Sequence, residues 1–155
     1  STFSILCASP DYVKRHGVPA RPQDLAAHAC LTLCTPAFPT HEWVLEGPEG
    51  VEQIHVAGPV QTNTAESLAL AIRDGIGIGM LPLYSAIDAL RDGSLVRVLP
   101  AHILQKMNVY ALYPSRRFVD AKVRTWVEML RAQVPTMIAR DVEMLNAIDR
   151  EPQAA

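Results

Sequence analysis

Apolar and polar residues form short blocks along the first two thirds of the chain, and these blocks predict alternating strands and helices. Apolar runs bounded by turn residues predict strands, whereas apolar residues spaced three and four apart predict helices. The predicted strands are 3–8, 30–34, 43–45, 53–56, 76–81 and 95–99, and the predicted short helices are 12–16, 22–28 and 83–90. Such alternation is typical of an α/β fold in which helices cover a parallel or mixed sheet.

The segment 61–82, QTNTAESLALAIRDGIGIGMLP, predicts a polar turn, a buried helix and a strand in direct succession. Asn63 is the predicted N-cap, Glu66 is placed to close a capping box, and Gly75 is the predicted left-handed stop. Residues 65–72 are almost all apolar, so this helix must be covered on most sides. A buried helix whose polar start faces a cleft is suited to holding an anion or a carboxylate, which indicates binding rather than catalysis.

The last third of the chain carries apolar residues that need a partner surface. Residues 109–113 predict an apolar strand, and a helix with one apolar stripe begins near Asp120. The stripe consists of Val123, Trp126, Val127 and Leu130. A further helix after Pro135 is allowed by the spacing of its apolar residues, although many charges lie between them. We therefore expect the isolated chain to associate with itself, as a homodimer or a larger oligomer.

Composition and charge narrow the possible classes of function. The chain has 155 residues, of which 49% are hydrophobic and 19% are charged, so it can build a real core. Its formal net charge of -2 and pI near 6.2 supply no basic surface for nucleic acid, so DNA binding by this chain alone is not expected. Neither a signal peptide nor a membrane-length apolar run is evident, which predicts a cytoplasmic location without membrane contact.

The cysteines and histidines do not predict a metal site. Cys7, Cys30 and Cys34 are odd in number and sparse, which favours free thiols in a reducing compartment. His28 lies close to Cys30 in the sequence, but a second pair of ligands is missing, and zinc sites require one. No metal is therefore predicted.

Two further patterns resemble functional motifs but lack their context. Gly75, Gly77 and Gly79 follow a helix and enter a strand, which is the reverse of a dinucleotide fingerprint, so no cofactor is predicted. Ser9 with Asp24 and His28 would be the residue types of a hydrolase triad, but no nucleophile elbow surrounds any serine. Enzymatic activity is not predicted.

Five segments occur in an order that resembles a known family. They are CASPDYVKRHGVPARPQDLAAHACL, EWVLEGPEG, NTAESLALAIRDGIGIGMLP, DGSLVRVLP and VYALYPSRRFVDAKVRTWVEML. Together they are similar to the effector-binding domain of LysR-type transcriptional regulators, over residues 5 to about 130. The resemblance implies a periplasmic-binding-protein-like fold of type II, with Rossmann-like lobes, a mixed sheet flanked by helices, and a small effector in the cleft between lobes.

The same resemblance implies a division of the chain. Residues 1–104 would form the second lobe of the effector-binding domain, and residues 105–134 the strand and helix that return to the first lobe. Residues 135–155 would be a C-terminal extension whose apolar residues keep a helical spacing. The helix-turn-helix, the linker helix and the opening part of the first lobe have no counterpart in this sequence, so contact with DNA is expected only through an N-terminal domain that is not part of it.

The candidate effector site lies where polar groups end strands and start helices. The candidate residues are Ser9, Thr35, Thr62, Asn63, Thr64, Gly79 and Pro82. Ser9 ends the first strand, where the family often carries a small or hydroxyl residue that reaches the effector, and it is expected to face the group at 62–64. Asn63 is equally interpretable as a plain helix cap, and Ser9 as a turn residue before Pro10.

The leading interpretation is the sensory domain of a bacterial regulator, which binds a small anionic metabolite to control attached DNA-binding domains. The alternative is a solute-binding protein of a transporter with the same fold, which would need a secretion signal. A lyase-like enzyme on the same scaffold would need an acid and base pair, and the sequence offers no convincing one.

Overall fold

The elements of the protein were assigned in a computed structural model, which describes residues 1–34, 41–112 and 120–150. The strands are β1 Thr2–Ala8, β2 Cys30–Leu33, β3 Glu42–Gly47, β4 Gly50–His55, β5 Gln61–Thr62, β6 Ile78–Pro82, β7 Val96–Val98 and β8 Ile103–Met107. The helices are α1 Pro10–His16, α2 Ala65–Arg73, α3 Leu83–Arg91 and α4 Ala121–Arg150, and a 3-10 helix spans Pro22–Ala27. The strands and helices predicted before residue 100 are confirmed to within a few residues at their ends.

One mixed sheet contains all the strands, with β1 at its centre. The order is β4-β3-β8-β1-β6-β2-β5, and β7 pairs with the far end of β1. β1 runs antiparallel to β6, with Ser4 opposite Pro82 and Cys7 opposite Gly79. β2 runs parallel to both β6 and β5. The predicted mixed sheet is therefore confirmed, and its strand directions decide which strand ends share an edge.

The two faces of the sheet carry separate cores because successive residues of a strand point to opposite sides. Ile5 and Cys7 of β1 belong to a cluster covered by α2, α3 and the C-terminal part of α4. Leu6 and Ala8 belong to a second cluster, which contains residues of α1, the 3-10 helix and the hairpin. Side chains on both faces are almost fully buried, so the sheet is the centre of the structure.

The apolar strand predicted at 109–113 is wrong for the residues that the structure describes. Residues 108–112 form no strand, and Leu112 is 92% exposed, while Tyr113 lies outside the described residues. The place beside β1 is taken by β8, which pairs with β1 on one side and β3 on the other. A strand needs a neighbour for its backbone groups, and the strand beside β1 on this side is β8 rather than residues 108–112.

The two helices predicted on either side of Pro135 are one helix. α4 continues through Pro135 to Arg150, although proline removes one backbone donor and crowds the preceding turn. The C-terminal half is held by packing, since Leu145 is 2% exposed and Val142 and Ile148 lie against the core. The proposed domain boundaries after residues 104 and 134 consequently fall inside β8 and α4.

No helix in the described ranges is both long and apolar enough to cross a membrane.

A buried ion pair fastens the end of α4 to the sheet. Arg97 of β7 is 6% exposed, and its guanidinium pairs with the carboxylate of Asp149. The same guanidinium donates to the backbone oxygen of His102 at 3.4 Å. Because a buried guanidinium is costly without a partner, Asp149 holds the last turns of α4 in place.

Replacing Asp149 by alanine is expected to lower the free energy of unfolding by about 2–4 kcal/mol, because Arg97 would stay buried without its carboxylate. Urea denaturation followed by circular dichroism measures the change. The matched control is Asp88→Ala, since the Asp88–Arg91 pair is exposed on both sides and should contribute far less. Equal losses in the two variants would show that the buried pair does not fasten α4.

Candidate functional site

Three parallel strands end at one edge of the sheet, which we call the carboxyl edge. It is defined by Leu33 at the end of β2, Thr62 at the end of β5 and Pro82 at the end of β6. Leu33 is paired with Thr62 in the register of β2 and β5. Because Ser4 lies opposite Pro82, the start of β1 reaches the same edge from the other direction. Polar residues that follow these strands are thereby brought together.

The polar turn 62–64 starts α2 at the carboxyl edge, but Thr64 is the N-cap. The Thr64 backbone is extended, and its Oγ1 accepts a hydrogen bond from the Ser67 amide at 3.3 Å. The Thr62 hydroxyl oxygen accepts from the Thr64 amide at 3.3 Å, which holds the turn ahead of the helix. The prediction of Asn63 as N-cap with Glu66 in a capping box is wrong, because the helix begins one residue later and Glu66 becomes its second residue.

Asn63 is exposed beside this cap rather than used by it. The amides of Ala65 and Glu66 belong to the first turn of α2, where backbone donors have no acceptor within the helix. The Thr64 hydroxyl donates to the Ser67 hydroxyl at 2.8 Å, so the donors offered by this short stretch of chain are the first-turn amides and the Asn63 amide. Such a group can hold an oxygen-rich or anionic ligand.

Ser9 does not belong to this group. It follows the carboxyl end of β1, which is antiparallel to β6, so it lies at the opposite edge of the sheet. Its Oγ accepts from the Tyr12 amide at 3.2 Å and caps α1, and a Cβ placed on Gly75 would be 3.3 Å from that Oγ. Gly75 follows α2, whose nine residues span about 13 Å. The expectation that Ser9 faces Thr62, Asn63 and Thr64 is wrong.

Of the remaining predicted residues, Gly79 has a packing role that the structure makes plain. It is buried in β6, and a Cβ on it would overlap the Ile72 side chain of α2, which would have to shift. Pro82 is buried at the N-cap position of α3, at the carboxyl edge. Thr35 lies outside the described residues.

The other reactive side chains are engaged in local structure. His28 Nδ1 lies 3.1 Å from the Tyr12 hydroxyl, which accepts from the Ala29 amide at 3.1 Å. Asp24 accepts hydrogen bonds from the amides of Ala20 and Arg21. Ser9 and His28 therefore act as a helix cap and a partner of Tyr12, not as members of a triad with Asp24.

All three cysteines are free thiols. Burial raises the pKa of Cys7 and of Cys30 to about 12, so both remain protonated at neutral pH. Cys34 is exposed at the carboxyl edge, just after β2. Within the described ranges, no group of three or more His, Cys, Asp or Glu residues is placed to hold a metal ion.

A cavity of about 190 Å³ borders the carboxyl edge, and sequence patterns did not indicate it. It lies between Thr2 of β1, the start of α3 and the middle of α4, where Asp141 contributes an acidic group. Thr2 and Leu83 are separated from residues 134–141 by a long stretch of chain, so only the docking of α4 brings them together. Local periodicity carries no signal for such a contact.

Comparison with known proteins gives a consistent result. The LysR substrate binding domain family matches residues 3–135. HTH-type transcriptional regulator DmlR of Escherichia coli K12 is 38% identical over 131 residues, which are 84% of this chain and 42% of DmlR. Probable HTH-type transcriptional regulator LtrA of Klebsiella pneumoniae is 32% identical, over 90% of this chain and 46% of its own length. The chain thus spans less than half the length of these two relatives.

Solved structures agree with this result. The regulatory domain of AphB from Vibrio vulnificus, treated with cumene hydroperoxide, has a TM-score of 0.72 and 30% identity, covering 84% of this chain and 65% of that one. The CrgA regulatory domain of Neisseria meningitidis shares the fold, with a TM-score of 0.65 at 21% identity over 83% of this chain and 63% of that one. The predicted periplasmic-binding-protein-like fold of type II is confirmed.

Replacing Thr64 by alanine is expected to lower the free energy of unfolding by about 1 kcal/mol, because the Ser67 amide loses its acceptor. The matched substitution Asn63→Ala should leave stability nearly unchanged, since Asn63 is exposed and does not cap α2. Chemical denaturation of both variants makes the comparison. A larger loss of unfolding free energy in Asn63→Ala than in Thr64→Ala would show that Asn63 caps α2.

Proposed function

The chain belongs to the LysR family of transcriptional regulators, and we propose that it senses a small anionic metabolite at the carboxyl edge. Its role as a regulatory domain agrees with the relatives, which are named as transcriptional regulators, and a transporter's solute-binding protein is not favoured. The observation that supports the anion is the turn 62–64, which brings the Asn63 amide beside the first-turn backbone donors at the start of α2.

Helix polarity favours a negative charge at this position. The unpaired amides at the start of a helix carry a partial positive charge, and α2 is covered along Leu68 and Ile72 so that its end is held in place. Glu66 adds a negative charge in the same turn, but it is exposed, so water and salt screen it. A carboxylate that meets the first-turn amides and Asn63 is the ligand that fits these groups.

The second half of the binding cleft would come from another lobe attached at the same edge. β1 begins and β8 ends there, with Thr2 opposite Met107, so both connections of the chain leave the sheet at the carboxyl edge. We propose residues 1–104 as one lobe and residues 105–134 as the return towards the other, with the crossing point inside β8. A metabolite that contacts both lobes would favour one arrangement of them and so change attached DNA-binding domains.

Several properties of the whole protein follow as parts of this proposal. DNA would be contacted through a domain outside this sequence, because the chain itself has a net charge of -2. The effector would be read without chemical conversion, so we propose no enzymatic activity. We propose the cytoplasm as its location, because a regulator of this kind acts where its DNA is.

An acid that serves as effector is expected to raise the melting temperature of the full-length regulator, while its uncharged amide should not. A thermal-shift screen of aliphatic and aromatic carboxylic acids with their amides makes this measurement. In Asn63→Ala the ligand-induced shift should fall by more than half, because the exposed amide beside the α2 cap is lost.

The matched control for that screen is Ser9→Ala. Ser9 caps α1 at the opposite edge, so its replacement should lower the melting temperature of the free protein yet preserve the shift caused by the acid. An acid whose effect survives Asn63→Ala but vanishes in Ser9→Ala would overturn the proposed site.

We propose that the N-terminal half of α4 is an association surface in this isolated chain. Val123, Trp126 and Met129 repeat at helical spacing and are 39%, 57% and 42% exposed. Tyr110 and Leu112 are also exposed, on the segment before the helix. Burial of apolar area is favourable by about 25 cal/mol per Å². A second copy that covers this surface would therefore stabilise the associated state.

The isolated chain is expected to form dimers or larger species that grow with concentration, and Trp126→Lys should shift them towards monomer by removing apolar area and adding repulsion. Analytical ultracentrifugation over a range of concentrations measures the distribution. Thr125→Lys adds the same charge at the neighbouring exposed position and should have a weaker effect. A chain that stays monomeric at high concentration would refute the association surface.

A further inference from the structure

Strand β4 is an edge strand of the sheet. β4 and β5 stand at the two ends of the strand order, and β5 has only two residues, whereas β4 has six. Among the residues that the structure describes, β4 pairs with β3 alone. An edge strand whose backbone groups have no strand partner on one side is able to take up a further strand there.

The register of the β3–β4 hairpin shows which backbone groups point away from β3. The Val56 amide donates to the His41 oxygen at 2.9 Å, so these two residues form a hydrogen-bonded pair. Hydrogen-bonded and non-hydrogen-bonded pairs alternate along antiparallel strands, and the next pair contains His55. Val51, Gln53 and His55 consequently belong to non-hydrogen-bonded pairs, and their amides and carbonyl oxygens point away from β3. We call these three residues the outer side of β4.

The outer side of β4 is accessible to another chain. All three of its residues are exposed, Val51 to 68%. Ile54 lies on the other face of the hairpin, where it packs against the second core cluster. The 3-10 helix contacts β4, and its Gln23 donates to Glu52, which lies on the same face as Ile54. The 3-10 helix therefore supports the inner face of β4 and leaves its outer side open.

The hairpin carries negative charge that selects among possible partners. Residues 41–56 include Glu42, Glu46, Glu49 and Glu52 but neither lysine nor arginine. Lys106 of β8 pairs with Glu46 at 2.7 Å, and the other three carboxylates have no lysine or arginine partner within the described ranges. A second copy of this hairpin would bring like charges together, whereas a basic segment would be attracted.

We propose that the outer side of β4 binds an extended, basic segment of a partner protein as an additional strand of the sheet. Alternate residues of that segment lie on the exposed face of the sheet, where Glu42 and Glu46 also lie. Lysine or arginine at these positions meets the carboxylates, and apolar residues between them extend the inner face beside Ile54. The proposal does not depend on the anion proposed for the turn 62–64, because β4 and β5 stand at opposite ends of the sheet.

A short peptide tests the addition of a strand directly. The probe is a fluorescently labelled peptide of seven residues in which lysine and valine alternate, and anisotropy measures its binding to the chain. Residues opposite the outer side of β4 form hydrogen-bonded pairs, so the lysine amides should face β4 and the valine amides should face away. N-methylation of the lysines should weaken binding about tenfold or more, whereas N-methylation of the valines should change it little.

Two substitutions at Gln53 give the matched comparison on the protein. Gln53→Pro removes an amide that takes no part in the pairing with β3, so the chain should keep its fold and bind the peptide about tenfold more weakly. Gln53→Ala removes the same side chain and its hydrogen bond to Glu42 but keeps the amide, so binding should be retained. The melting temperatures of both variants show that they are folded.

Reversal of single charges tests the preference for a basic segment. Glu42→Lys should weaken binding of the lysine peptide severalfold at low salt, because an attraction is replaced by a repulsion. Glu143→Lys makes the same change at an exposed position of α4 and should have a smaller effect. A peptide with glutamate in place of lysine should not bind. Asn63→Ala should leave binding of the lysine peptide intact, so failure of the carboxyl-edge proposal would be seen separately.

Three results would overturn the proposal. N-methylation of the lysines could leave binding unchanged, which would show attraction between charges without strand pairing. Gln53→Pro could bind the peptide as tightly as Gln53→Ala, which would place the peptide elsewhere. Ultracentrifugation could show a dimer that Gln53→Pro dissociates and Trp126→Lys does not, which would make a second copy of the chain the occupant of the outer side of β4.

Discussion

The antiparallel pairing of β1 with β6 decides which side chains of this protein can meet. β1 is the central strand, and its register sets Ser4 against Pro82 at one edge and Cys7 against Gly79 further along. β2 and β5 follow the direction of β6, so their carboxyl ends arrive where β1 begins. The start of α2 and the start of β1 therefore lie together at the carboxyl edge, whereas Ser9 lies at the opposite edge.

Close packing of α2 against the sheet keeps the proposed binding turn in place. Gly79 has no Cβ, which lets Ile72 approach the strand directly, and Thr64 closes the exposed end of the same helix. The Thr62 and Thr64 hydroxyls hold the turn, whereas the first-turn amides and Asn63 are the groups proposed to touch a ligand. Asn63 lies between them in the sequence but takes no part in the cap, and for that reason it can be replaced without loss of the helix.

Sequence patterns correctly predicted the elements that are determined by residues close together in the chain. The hairpin at Trp43 and the helix after Thr64 follow from alternation, helical spacing and turn residues, and the resemblance to the family was sufficient for the fold. The N-cap was misplaced by one residue because Asn63 and Thr64 are both good caps, and the Thr62 hydroxyl decides between them through a contact within the turn.

Features that depend on contacts distant in sequence could not be predicted in the same way. The edge at which Ser9 lies depends on strand direction, and the continuity of α4 through Pro135 depends on the packing of Leu145 against the core. The register shift of β8 against β1 falls at Gln105, where an ordinary residue adopts a left-handed backbone. None of these has a signal in the periodicity of its own segment.

The central claim is that the effector is held at the carboxyl edge by the start of α2. Its most direct test is amide chemical-shift mapping of the regulator with an acid that raises its melting temperature. The account predicts that the largest changes fall on the amides of residues 62–66. Largest changes at Ser9 and Gly75, on the opposite edge, with residues 62–66 unmoved, would contradict it.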